Sequence, residues 1–144
     1  MNTIISKISL WVMTLSLLSC VDADELATPN AAAPVLIIIE GAEFDGASAV
    51  EVVGTFLELD KTGILDHKVG IDSIPLSGLE IKVFINHMEE VGALVTDTAG
   101  KIMFQKAWSD LGLDSPGSGN QVRLEFAGTH NNVAFRKYHS VRVK

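Results

Sequence analysis

The chain has 144 residues, 47% hydrophobic and 20% charged, a composition that predicts a packed globular fold and excludes a wholly disordered chain. Its formal net charge of −7 excludes nucleic acid as a general partner. The single cysteine excludes an internal disulfide and a cysteine-based zinc cluster, and the length predicts one folded domain.

Residues 1–19 predict a signal peptide. Lys7 supplies a short positive region, and residues 8–18 form an uncharged, mostly apolar run. A helix of that length spans about 16 Å, roughly half the hydrocarbon thickness of a bilayer, so it is too short for a stable membrane span. A secretory leader fits this pattern instead.

The leader ends in Leu17-Leu18-Ser19-Cys20, which resembles the lipobox of bacterial lipoproteins. The resemblance implies cleavage after Ser19, a diacylglyceryl thioether on Cys20 and acylation of the new amine, which together would anchor the chain in a membrane. It also implies a bacterial cell-envelope location, expected at the outer membrane, on its periplasmic or its surface side. The alternative is that Cys20 is an ordinary small residue behind a plain signal peptide.

Residues 20–33 predict a flexible tether, because they are rich in Ala, Asp, Pro and Asn and show no amphipathic period. The folded domain is therefore predicted to occupy residues 34–144.

Within this domain the apolar residues recur with a period of two, which indicates half-buried strands of an antiparallel sheet. Residues 35–39 form a continuous aliphatic run, which predicts a strand buried on both faces. The predicted strands are 35–39, 50–59, 65–71, 79–85, 93–96, 101–107, 121–126 and 133–143, with a helical turn at 108–112. Turns are expected at 60–63, 97–100 and 128–132. Seven or eight short strands predict an all-β fold, an Ig-like antiparallel β-sandwich.

Residues 74–83 (IPLSGLEIKV) and 96–104 (TDTAGKIMF) resemble a strand and hairpin of carboxypeptidase-regulatory-like (transthyretin-type) and invasin-type Ig domains. The resemblance implies the same sandwich fold. Thr96 and Asp97 are expected to cap the turn with side-chain hydrogen bonds. Residues 86–92 and the loop before Gln121 are longer than the corresponding connections usually are in these domains, which leaves the strand order open.

The residues that carry chemistry form no catalytic or metal-binding motif. There is no Gly-x-Ser-x-Gly sequence, and no two histidines lie within four residues of each other among His67, His87, His130 and His139. His87 with Glu89 and Glu90 suggests either a metal site or a solvated loop. Asp60 and Asp66 suggest calcium, but the intervening residues lack the alternating oxygen ligands of an EF-hand. We therefore expect no metal, no cofactor and no enzymatic activity.

Basic residues concentrate near the end of the chain. Residues 20–120 contain five basic and 17 acidic residues, whereas residues 121–144 contain five basic residues and one acidic residue. On a strand, Arg136, Tyr138 and Arg142 would share one face, which suggests a stripe that binds an acidic surface or anionic lipid headgroups. The alternative is that the stripe balances acidic residues on neighbouring strands or discourages aggregation at a sheet edge.

Together these patterns predict a non-enzymatic, lipid-anchored envelope module that binds a protein partner or serves as an accessory subunit. The alternatives are a surface lipoprotein that captures a glycan or a host molecule, and a small envelope hydrolase.

Cys20→Ala is expected to release the protein from membranes, because the diacylglyceryl group would attach to the Cys20 sulfur. Detergent-phase partitioning measures the effect. Ser19→Ala keeps a small residue before the cysteine and serves as the control that stays in the detergent phase. Retention of the Cys20→Ala protein in the detergent phase would refute the lipoprotein prediction.

Overall fold

A computed structural model describes residues 33–86 and 88–144. The predictions about the leader, Cys20, the tether up to residue 32 and His87 lie outside these residues. The described part contains one 3-10 helix, η1 (Ser109–Leu111), and nine strands: β1 (Leu36–Glu40), β2 (Glu43–Phe44), β3 (Val50–Asp60), β4 (Asp72–Pro75), β5 (Glu80–Ile85), β6 (Glu89–Val95), β7 (Lys101–Lys106), β8 (Gln121–His130) and β9 (Val133–Val143).

These strands form two sheets. In sheet I, β3 is central: β1 pairs along one edge, and β4 and β7 share the other. Sheet II has the order β2-β9-β8-β5-β6 and is antiparallel apart from the short β2–β9 pair. The order β1-β3-β7 facing β9-β8-β5-β6 is that of an Ig-like sandwich. The all-β sandwich prediction is confirmed, with nine strands in the described residues rather than seven or eight.

The core lies between the inner faces of the two sheets, where the alternation places the apolar residues of β3, β5, β7, β8 and β9. Phe56 of sheet I packs against Phe135 of sheet II, with 6.3 Å between the ring centroids. Phe104 and Phe126 meet edge to face at 6.2 Å. Trp108 is 3% exposed and its Nε1–H donates to the carbonyl of Asp45. Such contacts stabilise the sandwich chiefly by removing apolar surface from water.

The predicted strand at 65–71 is wrong, because these residues form a series of turns. Asp60 Oδ1 accepts a hydrogen bond from the backbone N–H of Thr62, and Asp66 Oδ1 accepts one from Lys68, each at 2.9 Å. The backbone therefore bonds locally instead of to a neighbouring strand. The strand of this region is β4, which begins at Asp72.

The prediction that 35–39 is buried on both faces is also wrong. Leu36 and Ile38 are exposed, because β1 is an edge strand whose outer face no part of the described chain covers. The turn expected at 128–132 is shorter than predicted: β8 continues to His130, and Asn131 and Asn132, with φ of 50° and 61°, form a two-residue hairpin turn.

Phe56 is the point at which β3 changes its neighbour from β7 to β4. Its N–H donates to the carbonyl of Gly100 at 2.8 Å, and its own carbonyl accepts from the N–H of Leu76 at 3.0 Å. Gly100 has φ +71°, and a Cβ there would lie 2.5 Å from the Phe56 carbonyl oxygen. Only glycine fits this junction without displacing backbone.

Side chains of Thr96 and Asp97 hold two connections beside this junction. Asp97 caps the turn before β7 as predicted, whereas Thr96 binds the connection at residues 76–79, between β4 and β5, and not that turn. Thr96 is buried, and its hydroxyl accepts from the N–H of Leu79 at 2.8 Å and donates to the carbonyl of Leu76. Asp97 Oδ1 accepts from the N–H groups of Ala99 and Lys101, both at 2.8 Å.

Gly100→Ala is expected to lower the free energy of unfolding by about 3 kcal/mol, because it combines a left-handed backbone with a backbone collision. Gly78 has nearly the same φ, +74°, but a Cβ there would meet nothing within 4 Å. Gly78→Ala is therefore the matched control and is expected to cost about 1 kcal/mol. Urea denaturation measures both, and equal costs would show that the junction is not crowded.

Candidate functional site

The outer face of β9 carries the residues that the sequence suggested for partner binding. Arg136, Tyr138 and Arg142 all lie there and are exposed, as the alternation predicts. Across the sheet, Tyr138 pairs with Glu125 of β8 and Arg136 with Ala127. The stripe is thus continuous with β8 and is part of a wider surface of sheet II.

Both arginines of the stripe have acidic neighbours. Arg136 Nε lies 3.2 Å from Oε1 of Glu125, and the Arg142 guanidinium pairs with the carboxylate of Glu43 on β2. A hydrogen bond with Tyr138 and the nearby charge of Glu125 raise the pKa of Arg136 above its ordinary value. These contacts favour the charge-balance interpretation of the two arginines over a stripe of free positive charge.

Glu125 is the unusual member of this surface. It alternates with the core residues Leu124 and Phe126 and therefore points outward, yet it is only 4% exposed. Its cross-strand neighbours Phe84 and Tyr138 flank it in the sheet. Arg123 packs over the Tyr138 ring, with Cζ 4.6 Å from the centroid. The sequence pattern gave no sign of this burial, because it depends on side chains from neighbouring strands.

A groove of about 800 Å³ runs along this face of sheet II. Small residues of β8 and β9 form its floor: Ala127, Gly128, Thr129 and Ala134. Larger side chains rise around them, namely Glu80, Lys82, Phe84, Met88, Glu125 and Arg136. Apart from Arg136, the residues of the floor and walls were not predicted from the sequence, since the groove exists only where small residues of two strands become neighbours.

The apolar part of the groove lies at its β5–β6 end. Phe84 is half-buried and points outward from β5, opposite Glu125. Met88, in the turn that follows β5, is 90% exposed. Nearby, Lys82 Nζ lies 3.4 Å from Oε2 of Glu90, so this end combines apolar surface with an exposed ion pair.

The described histidines lie away from the groove. His130 Nε2 is 3.2 Å from Glu58 Oε2, His139 Nε2 is 2.7 Å from the carbonyl oxygen of Gly41, and His67 is exposed on the 61–71 loop. Among the residues that the structure describes, the titratable side chains that line the groove are Glu80, Lys82, Glu125 and Arg136. Those of Lys82, Glu125 and Arg136 are engaged in ion pairs, an arrangement suited to shaping a binding surface.

The carboxylates suggested for calcium have other roles. Asp60 and Asp66 each cap a turn of the 61–71 loop, and the hydrogen bond from the N–H of Thr62 lowers the pKa of Asp60. Glu89 and Glu90 belong to β6 rather than to a loop. Among the described residues, no group of three histidine, cysteine or acidic side chains is arranged to hold a metal ion.

Comparison with known proteins finds no matching family model, curated protein or solved structure. In the part of the chain that the structure describes, no helix is long and apolar enough to cross a membrane.

The Arg136–Glu125 pair is expected to show a coupling energy of about 1–2 kcal/mol in a double-mutant cycle with Arg136→Gln and Glu125→Gln, because Glu125 is shielded from water. Lys82 and Glu90 are the matched pair, 3.4 Å apart and both well exposed. Their cycle is expected to give less than about 0.5 kcal/mol. Chemical denaturation of the four variants in each cycle measures both, and similar couplings would contradict the shielding of Glu125.

Proposed function

We propose that the chain is a lipid-anchored, non-enzymatic interaction module of the bacterial cell envelope, which binds a protein partner through the groove of sheet II. The observation that carries this proposal is the groove itself, about 800 Å³ in volume and floored by small residues of β8 and β9. A concave surface of this kind accepts protruding side chains of a partner.

The residues of the groove support a protein as the ligand. Aromatic, methionine and arginine side chains are enriched at the centres of protein interfaces. Phe84, Met88 and Arg136 provide such side chains in the groove, and Tyr138 lies beside it, paired with Glu125. The ion pairs around them leave the surface close to electrically balanced, so a partner need not carry a large opposite charge.

The lipid on Cys20 remains part of this proposal. The lipobox-like sequence and the short leader support it, together with a location in the envelope, expected at the outer membrane. Anchoring favours a role as an accessory subunit, because a partner in the same membrane would meet the groove at a high effective concentration.

The two alternative functions have less support from the geometry. A glycan-binding face normally offers free aromatic rings, whereas Arg123 covers one face of Tyr138 and Trp108 is buried in the core. For a hydrolase, the groove would need a nucleophile beside a base. Among the described residues, the only hydroxyl side chain that lines it is that of Thr129, and the carboxylate of Glu125 is paired with Arg136.

Ala134→Arg is expected to abolish partner binding, because Ala134 is an exposed part of the groove floor and a long side chain there fills the groove. Mild-detergent co-purification of the lipidated protein, with stoichiometry read by mass spectrometry, measures the effect.

Ala99→Arg is the control. It adds the same charge at an exposed position in the turn before β7, outside the groove. Retention of a stoichiometric partner by Ala134→Arg, or equal loss from both variants, would contradict the groove as the binding surface.

A further inference from the structure

The loop at residues 61–71, between β3 and β4, displays apolar side chains to solvent. Leu65 is 98% exposed, the highest exposure of any large apolar side chain in the described residues. Ile64, Val69 and Ile71 are exposed on the same loop, and Ile74 is exposed on β4 just beyond it. A cluster of this kind on a small domain indicates contact with another apolar surface.

The loop holds these side chains outward by its own hydrogen bonds. Successive turns join Ile64 to Lys61, Asp66 to Gly63 and Gly70 to Asp66 through the backbone, with N–H to carbonyl distances of 2.9–3.1 Å. Asp60 and Asp66 cap two of these turns. A Cβ on Gly63 would lie 2.4 Å from Val69 Cγ1, so the loop is also closed on itself by packing.

The chain joins the domain at the end where this loop lies. Leu36, the first residue of β1, pairs with Leu57, and β3 continues past Leu57 toward the loop. Because β1 and β3 are antiparallel, the residues that precede Leu36 run toward the same end of the sandwich. The 14 residue-to-residue steps from Cys20 to Pro34 can span at most about 50 Å, so a lipid on Cys20 would keep this end near the membrane.

We propose that the 61–71 loop is a second membrane contact, which inserts Leu65 and Ile64 into the interfacial region of the bilayer that holds Cys20. This inference rests on the proposed lipidation. The apolar side chains leave water on contact and so strengthen attachment and orient the domain, with the loop toward the bilayer and the Met88 turn, at the far end of β5, away from it.

Apolar burial rather than charge drives this contact. The loop and its flanks contain Asp60, Asp66 and Asp72 against Lys61 and Lys68, with His67 between them. The hydrogen bond from the N–H of Thr62 lowers the pKa of Asp60, so this carboxylate carries its negative charge at neutral pH. A segment with three acidic and two basic residues has little attraction for anionic lipid, so the contact is expected to be insensitive to salt.

The test uses the full lipidated chain with Leu65→Trp, reconstituted in phosphatidylethanolamine–phosphatidylglycerol vesicles with and without brominated acyl chains. The substitution keeps a large apolar side chain at an exposed position and adds a fluorophore. Bromine is expected to quench about half of the added fluorescence if residue 65 lies in the interfacial region. All variants carry Trp11→Phe, so that Trp108, which is buried in the core and contributes a constant background, is the only other tryptophan whether or not the leader is cleaved.

Met88→Trp is the matched control, since Met88 is 90% exposed in a turn at the opposite end of the sandwich. Its quenching is expected to stay below about a tenth, because that end faces water. Ile64→Trp is a second probe of the loop, should Leu65→Trp fail to fold.

Absence of quenching of Leu65→Trp and Ile64→Trp on anchored protein, or equal quenching of Met88→Trp, would overturn the inference. So would loss of quenching in about 0.5 M NaCl, which would indicate an electrostatic contact. Self-association of the protein in detergent that Leu65→Asp abolishes, without quenching in vesicles, would instead assign the loop to a second copy of the chain.

Intact-protein mass spectrometry separates the two proposals. An unmodified Cys20 refutes the lipid anchor, whatever the loop does. The Cys20 thiol can then be coupled to a maleimide-headgroup lipid in the same vesicles, and quenching of Leu65→Trp still tests whether the loop enters a bilayer to which the chain is tethered.

Discussion

One edge of β3 pairs with two strands, first with β7 and then with β4, and the rest of the structure depends on this arrangement. At Phe56 the N–H donates to the carbonyl of Gly100 and the carbonyl accepts from the N–H of Leu76. The pairing of β3 with β7 therefore stops just before this residue, and its pairing with β4 starts just after it. The side chain of the same residue packs against Phe135 in the opposite sheet. Phe56 therefore takes part both in the hydrogen bonding of sheet I and in the core. Gly100, which has no side chain, leaves room for the backbone of Phe56 and of Leu76.

The two surfaces proposed for function follow from this arrangement. The chain leaves β3 as the 61–71 loop, returns as β4 to the junction, and crosses to sheet II through the turn that Thr96 holds. β5 then pairs with β8, which brings Phe84 beside Glu125 and Lys82 beside Ala127. Both surfaces therefore follow from the path of the chain from β3 through β4 to β5. The apolar loop lies at an end of the sandwich, and the groove lies on its outer face.

Sequence patterns succeeded where burial repeats with the period of a strand. The alternation of β5 and β8 placed Ile81, Val83, Leu124 and Phe126 in the core, where the structure has them. They failed at 65–71, where apolar residues suggested a strand but aspartate-capped turns satisfy the backbone locally. They failed also for β1, whose aliphatic run is exposed on one side because that side is the outer face of sheet I, which no part of the described chain covers.

The sequence by itself determined the all-β class, the main strands and turns, the outward placement of Arg136, Tyr138 and Arg142, and the lipobox-like ending of the leader. Those features depend on residues close together in the chain. Only the tertiary structure decided the strand order, the burial of Glu125 beneath Arg136, the groove over Ala127 and Ala134, and the loop beside the first strand. Each of these requires strands distant in sequence to become neighbours, and an alternating pattern specifies which face of a strand is buried but not which strand lies beside it.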